Sequence, residues 1–274
     1  MQSSIPTKKG TSKRESEYSV EREGAGQVVL VGAPNVGKSS LVASLTNAQP
    51  EIADFPHSTW KPTPGMMVFE NIQFQLVDTP PISKDFVDSW MIDLLRRADM
   101  LMVVVDLHCG TLQQLDDSLA ILQELRIYAE GSPVPDGLTK TPFFKKLLIV
   151  VNKMDTADDE EDFAVFLELS EITLPAIGLS ASTGRNLPAL PRKIYELSDI
   201  IRIYTKAPGS KSSDRGVPFV LPQQSTLENL AAKIHKDFAA HLKYAKVWGQ
   251  GVHDGQMVHR DYVLHDGDVV EIHL

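Results

Sequence analysis

The chain has 274 residues, 42% of them hydrophobic and 23% charged, which fits a globular protein of one large and one small domain. A formal net charge of −9 excludes a protein that coats nucleic acid by bulk charge, though not one with a local basic face. A single cysteine, Cys109, excludes an internal disulfide and suits a reducing compartment, and no apolar run reaches the length of a membrane span or a signal-peptide core.

Residues 1–26 mix Lys and Arg with Glu and carry no hydrophobic period, so a disordered polar tail is expected there. An α/β rhythm follows. "QVVLV" (27–31) is a short apolar run that stops at a glycine loop. "IQFQLV" (72–77) alternates as a half-exposed strand would. "MLMVVV" (100–105) and "LLIVV" (147–151) are continuous apolar runs, the mark of parallel strands buried on both faces. Helical spacing fills 85–98 and 112–128 between them. This alternation predicts a doubly wound, mostly parallel sheet with helices on both faces. Cys109 follows a buried strand and is expected to serve packing.

The rhythm ends near Tyr204, where 206–215 opens a linker rich in Gly, Ser, Pro and charge. Beyond it "VPFVL", "AKVWG" and "DVVEIHL" read as strands, with "HDGD" (265–268) as the turn between the last two. Ser225 and Glu228 suggest a capping box ahead of one helix whose apolar positions are Leu227, Leu230, Ala231, Ile234 and Phe238. The domains expected are thus 27–205 and 216–274.

The chemistry starts at "GAPNVGKSS", Gly32–Ser40, which follows a strand and opens a helix. Its glycines let the backbone wrap a triphosphate, and the amides of Gly32, Asn35, Val36, Gly37 and Ser40 form an anion cradle at a positive helix end. Lys38 is placed to reach the β- and γ-phosphates and Ser39 to ligate Mg²⁺. Asp78 closes the next strand and would hold Mg²⁺ through water. Thr59, with Ser58 as its competitor, lies in a long segment that could wrap over the metal when a γ-phosphate is bound.

The base end is "VVNKMD". Asp155 can accept two hydrogen bonds from guanine N1–H and its exocyclic amine, a pattern adenine lacks. Asn152 braces neighbouring loops, and the Lys153 stem lies along the base. In "GLSAS" (178–182), Ser180 precedes Ala181, whose N–H can meet guanine O6. In this order, each motif behind its own strand, the set reads as a GTP/GDP site. An ATPase or nucleoside kinase is disfavoured by Asp155.

These motifs, with "ADFPHSTWKPTPG" (53–65), resemble the Obg-like GTPases, in the branch of developmentally regulated GTP-binding proteins. The wording "IHKDFAAHLKYAKVWG" (234–249) is similar to the TGS domain, a small β-grasp module. The resemblance implies Mg²⁺-dependent GTP hydrolysis in the cytoplasm, action on the ribosome or RNA through the TGS domain, and no membrane partner. It also implies a K⁺ ion held near Asn35, which with Lys38 and Thr59 makes up the expected catalytic set. Two parts of relatives, a glycine-rich domain and an insertion in the GTPase domain, are not evident, and the start of the chain reads like the end of a helical region. In the usual D-x-x-G motif the glycine N–H holds the γ-phosphate; here that place is Pro81, which has no N–H. The expectations are a blunted preference for GTP over GDP and slow hydrolysis, with a non-hydrolysing, nucleotide-stabilised adaptor as the rival. Lys233, Lys236, Lys243 and Lys246 with His235 and His241 read either as a solvated helix face or, as the resemblance implies, as a basic strip facing RNA or the ribosome.

Overall fold

The computed structural model describes residues 20–46, 62, 64–83, 87–134, 137–209 and 216–274. They fall into two compact units, bounded as Met1–Val68 with Gln73–Ile194, and Phe69–Ile72 with Tyr195–Leu274.

In the first unit, strands β1 (Gln27–Val31), β2 (Pro64–Phe69), β3 (Ile72–Val77), β4 (Met100–Asp106), β5 (Ile127–Ala129) and β6 (Phe143–Asn152) build one sheet in the order β2-β3-β1-β4-β6-β5. Strand β7 (Ala176–Gly178) pairs with β6. The pairings of β1 with β3 and β4, and of β6 with β4, β5 and β7, are all parallel. Every residue of β1 and β4 is buried, as the apolar runs Val28–Val31 and Met100–Val105 require of a sheet covered on both faces.

Helices α1 (Lys38–Leu45), α2 (Ser89–Arg97), α3 (Thr111–Glu124), α4 (Asp159–Ser170) and α5 (Leu190–Leu197) follow their strands. Helix α2 buries Met91, Leu94 and Leu95, spaced i, i+3, i+4, into a core shared with Val29, Leu101 and Ile149. Truncating fully buried Leu95 to Ala would cost about 2–5 kcal/mol. The parallel strands deliver their following loops to one end of the sheet, where such folds bind ligands.

The second unit holds a five-stranded sheet, β11-β10-β12-β8-β9, made from β8 (Ile200–Thr205), β9 (Phe219–Pro222), β10 (Tyr244–Trp248), β11 (Gln256–Val258) and β12 (Val269–His273). Helices α6 (Leu227–Ile234) and α7 (Lys236–His241) belong to the same unit, and Leu227 and Leu230 pack with Ile203, Val247 and Val270.

Several expectations need correction. The single helix from Leu227 is two, because His235 takes an extended backbone and its Nδ1 accepts from Asp237 N, starting α7 afresh. The capping box is one residue later than expected. Thr226 Oγ1 accepts from Asn229 N and Asn229 Oδ1 from Thr226 N, while Ser225 is buried. The "HDGD" turn leads into β12, but β11 intervenes between it and β10. Helix α3 stops at Glu124 and the chain returns as β5, where 112–128 suggested one helix.

Two expectations about exposure also fall. Gln75 is not on an open face: it is buried, accepting from Gln27 Nε2 at 2.7 Å and donating to Glu21 O at 2.9 Å. Residues 20–26 of the expected polar tail account for this, since Ala25 N bonds Gln73 O and Gly26 O accepts from Gln75 N. Residues 1–19 lie outside the described residues. Cys109 is exposed rather than packed. Strand β8, inside the 27–205 segment assigned to the first domain from sequence, is hydrogen-bonded into the second sheet.

Candidate nucleotide site

The loop between β1 and α1 holds its shape because two glycines permit what other residues would not. Gly32 (φ 152°) passes so close to β4 that a Cβ would lie 2.3 Å from Val104 O. Gly37 (φ 93°) presses on Asn152, whose Nδ2 would be 2.2 Å from such a Cβ. Asn35 takes a left-handed backbone (φ 61°) at the exposed crest of the loop, where Ser40 is also exposed and Val36 is buried.

Lys38 is buried, its Nζ 3.0 Å from the carbonyls of both Gly32 and Ala33. Burial holds its ammonium down to about 8, with nearby Asp78 pulling the other way. Asp78 is buried too, so its carboxyl is pushed up by desolvation, against hydrogen bonding from Ser39 and the charge of Lys38. Its Oδ2 accepts from Ser39 Oγ, and its Oδ1 is buried without a hydrogen-bond partner. A lysine and a carboxylate desolvated beside an amide-lined loop form a place where phosphate oxygens and a hard cation would complete the charges. The orphaned Oδ1 and the Ser39 hydroxyl are hard oxygen donors, the kind Mg²⁺ takes. The residues present therefore fit that ion.

After Asp78 come Thr79, whose hydroxyl donates to Leu30 O, then Pro80 and Pro81, and then Ile82, whose N–H donates to Gly32 O at 3.3 Å. From 80 to 82 no backbone donor remains for a phosphate. Ile82 is buried in the core. Thr59 and its competitor Ser58 lie outside the described residues.

The base end is hydrogen-bonded within itself. Asp155 Oδ1 accepts from Ser180 Oγ at 2.6 Å and Ser182 Oγ at 2.9 Å, and these bonds, Ser180 first, hold its carboxyl below the ordinary range. Asn152 joins three loops: Nδ2 donates to Val36 O at 2.8 Å, and Oδ1 accepts from Ala181 N at 3.0 Å. The Ala181 N–H, expected on guanine O6, thus points at Asn152 here. Lys153 (φ 71°) pairs its Nζ with Asp106 Oδ2 at 2.6 Å.

Sequence reasoning missed Asp106 and Ser182. Asp106 could have been found as a second aspartate ending a buried strand, and Ser182 as the hydroxyl beside Ala181. A cavity of about 450 Å³ adjoins the phosphate loop, lined by Ala33, Ile82, Cys109, Gln113, Ser118 and Ile121 among others. The described residues contain no helix long and apolar enough to cross a membrane.

Residues 27–153 match the family described as 50S ribosome-binding GTPase, and residues 201–274 match the TGS domain. These matches define the class the chain is similar to: a GTP-binding P-loop GTPase domain followed by a C-terminal TGS domain. Within that class its similarity runs to the developmentally regulated GTP-binding proteins. Developmentally-regulated G-protein 3 of Arabidopsis thaliana is 27% identical over 97% of this chain and 87% of its own length. Developmentally-regulated GTP-binding protein 1 of Xenopus laevis is 26% identical over 93% and 84%. An uncharacterized GTP-binding protein of Methanocaldococcus jannaschii is 29% identical over 93% and 80%. That alignment spans 314 residues, more than the 274 of this chain, so the relative carries residues that this chain lacks. In fold, a crystal structure of a GTP-binding protein from Pyrococcus horikoshii OT3 has a TM-score of 0.59 over 90% of this chain and 99% of that one, at 18% identity.

Proposed function

We propose that the protein is a Mg²⁺-dependent GTP-binding switch of the cytoplasm that hydrolyses GTP slowly and acts with the ribosome or its RNA. The unit that ends at Ile194 carries the nucleotide, and the TGS module takes in β8 and runs to residue 274. The observation that carries this reading is the buried Lys38–Asp78 pair with an orphaned Asp78 oxygen beside the phosphate loop. Lys38 and the amides of Gly32, Asn35, Val36, Gly37 and Ser40 bind the phosphates. Ser39, Thr59 and Asp78 hold Mg²⁺, and Asn152, Lys153, Asp155, Ser180 and Ala181 read guanine. Reading O6 through Ala181 requires its N–H to leave Asn152 Oδ1. The magnesium ion, when bound, would supply charge neutralisation across the phosphates, and Asn35 is the residue that would hold a K⁺.

The absence of any free N–H from residue 80 to residue 82 removes a charge-assisted bond that GTP alone would use. Such a bond is worth about 1.5–3 kcal/mol, which supports weak GTP preference and slow turnover. The same observation favours a second reading, a nucleotide-stabilised adaptor that does not hydrolyse. Single-turnover phosphate release with Mg²⁺, in K⁺ and in Na⁺, separates them: a rate above the buffer blank supports the GTPase, and one equal to it leaves the adaptor. Co-sedimentation with ribosomal subunits, with GDP and with a non-hydrolysable GTP analogue, tests the switch.

A further inference from the structure

The guanine-reading stretch Asn152–Asp155 leans on a loop that carries none of the nucleotide motifs. That loop is "DLHCG" (106–110), between β4 and α3. Strand register puts its first residue, Asp106, directly beside Asn152. The first turn of α3 then fixes the loop's shape. Thr111 Oγ1 donates to the carbonyls of Asp106 and Leu107 at 2.9 and 2.7 Å, and Gln114 Oε1 accepts from Asp106 N at 2.9 Å. Asp106 Oδ1 also accepts from His108 N at 3.0 Å. Three ties cross from this loop to the base end. Leu107 N donates to Asn152 O at 3.1 Å, Asp106 Oδ2 holds Lys153 Nζ at 2.6 Å, and His108 Nε2 lies 3.0 Å from Lys153 O. A carbonyl oxygen only accepts, so His108 carries its hydrogen on Nε2.

Lys153 needs such ties because its backbone is left-handed (φ 71°), a conformation that a lysine seldom holds unless its surroundings impose it. Its carbonyl also accepts from Asp155 N at 2.9 Å. The atom that His108 grips therefore closes the short turn from which the Asp155 side chain projects. Beyond that turn, Asp159 Oδ2 accepts from Thr156 N at 2.8 Å, and Asp159 Oδ1 lies 3.6 Å from His108 Nε2. One imidazole thus meets the chain on both sides of Asp155. Asp155 Oδ1 is already fixed by Ser180 and Ser182. Guanine requires two contacts from one carboxylate, to N1–H and to the exocyclic amine, so the pair can be made only if the backbone beneath it stands still. We propose that His108 is a positioning residue for base selection, holding the Asp155 turn so that its carboxylate meets the exocyclic amine as well as N1–H. This inference rests on the guanine reading of the site and adds a residue that acts through Asp155.

The test compares GDP with inosine diphosphate, which keeps N1–H and lacks the exocyclic amine, in calorimetric titrations of the full chain with Mg²⁺. The His108 side chain is about half exposed, so its truncation leaves the core untouched, and circular dichroism of the nucleotide-free variant checks that it is folded. The parent should prefer GDP by roughly tenfold or more, the size of one charge-assisted hydrogen bond. In His108→Ala that ratio should fall several-fold, chiefly through weaker GDP binding. His108→Gln, whose amide donor reaches about as far as Nε2, should recover most of it. An equal loss for the two nucleotides would reduce His108 to general support of the loop and overturn the proposal. So would a ratio unchanged from the parent, or a glutamine variant no better than alanine. In those three outcomes the parent still selects GDP, and the guanine reading stands. A parent chain that binds neither nucleotide, or both equally, would overturn that reading and this proposal together.

Discussion

The two ends of the candidate nucleotide site are built on opposite terms. At the phosphate end, Lys38 and Asp78 are both buried, both have protonation pulled away from the charged form by desolvation, and one Asp78 oxygen has no partner. At the base end, Asp155 is exposed and its carboxylate is already satisfied by two serine hydroxyls. One end therefore stores an electrostatic deficit that a phosphate and a cation would remove. The other is a prearranged template that selects without needing the ligand to hold its shape. Affinity should accordingly reside in the first and selectivity in the second.

Substitutions can break that division, and the largest effect is expected for selectivity. Asp155→Ala should collapse a GTP-over-ATP discrimination of roughly 10⁴-fold, seen in competition binding, because the carboxylate is what adenine cannot satisfy. Next in size, Lys38→Ala should weaken GDP and GTP alike by about a hundredfold in calorimetry, leaving discrimination intact, since it strands a buried carboxylate. A variant that loses both properties together would dissolve the distinction between the ends.

Titration sharpens it. Lys38 sits at about 8 in the folded protein against an ordinary 10.5, so between these values the unfolded chain holds the extra proton. The stability of the nucleotide-free protein should therefore rise with pH across that window on account of Lys38. Phosphate binding restores the charge, so GDP binding near pH 9 should take up a proton. Calorimetry in two buffers of different ionisation enthalpy reads this directly. Smaller still, Pro81→Gly should raise the GTP-over-GDP preference by roughly tenfold, returning an N–H to the loop. The least effect is expected for Ser182→Ala, a loss of a few-fold in GDP affinity, because Ser180 still holds Asp155.

Most of the first sheet could be read from unbroken apolar runs, since a parallel strand covered on both faces leaves no room for polar residues. Gly32–Ser40 and Asn152–Asp155 were legible for the same reason: each follows such a run. A strand was expected ahead of "GLSAS" and β7 lies there, but β2 and β5 were not read: "PGMMVF" opens on the loop residues Pro and Gly, and "IYA" is only three residues long. Gln75 looked like a surface residue because nothing in the local pattern reveals that residues 20–26 cross over it and satisfy its amide. His235 breaks a helix through its own side chain, a contest that helical periodicity cannot register. Asp106 and Ser182 escaped notice because their work is to hold Lys153 and Asp155, and the contacts that show it are long-range.

The central claim is that Asp155 chooses the base while the Lys38–Asp78 end holds the phosphates. Titrating the full chain with GDP and with ADP, each with Mg²⁺, tests it most directly. The account predicts tight GDP binding and ADP weaker by roughly 10⁴-fold. Equal affinity for the two, or no heat with GDP, would contradict it.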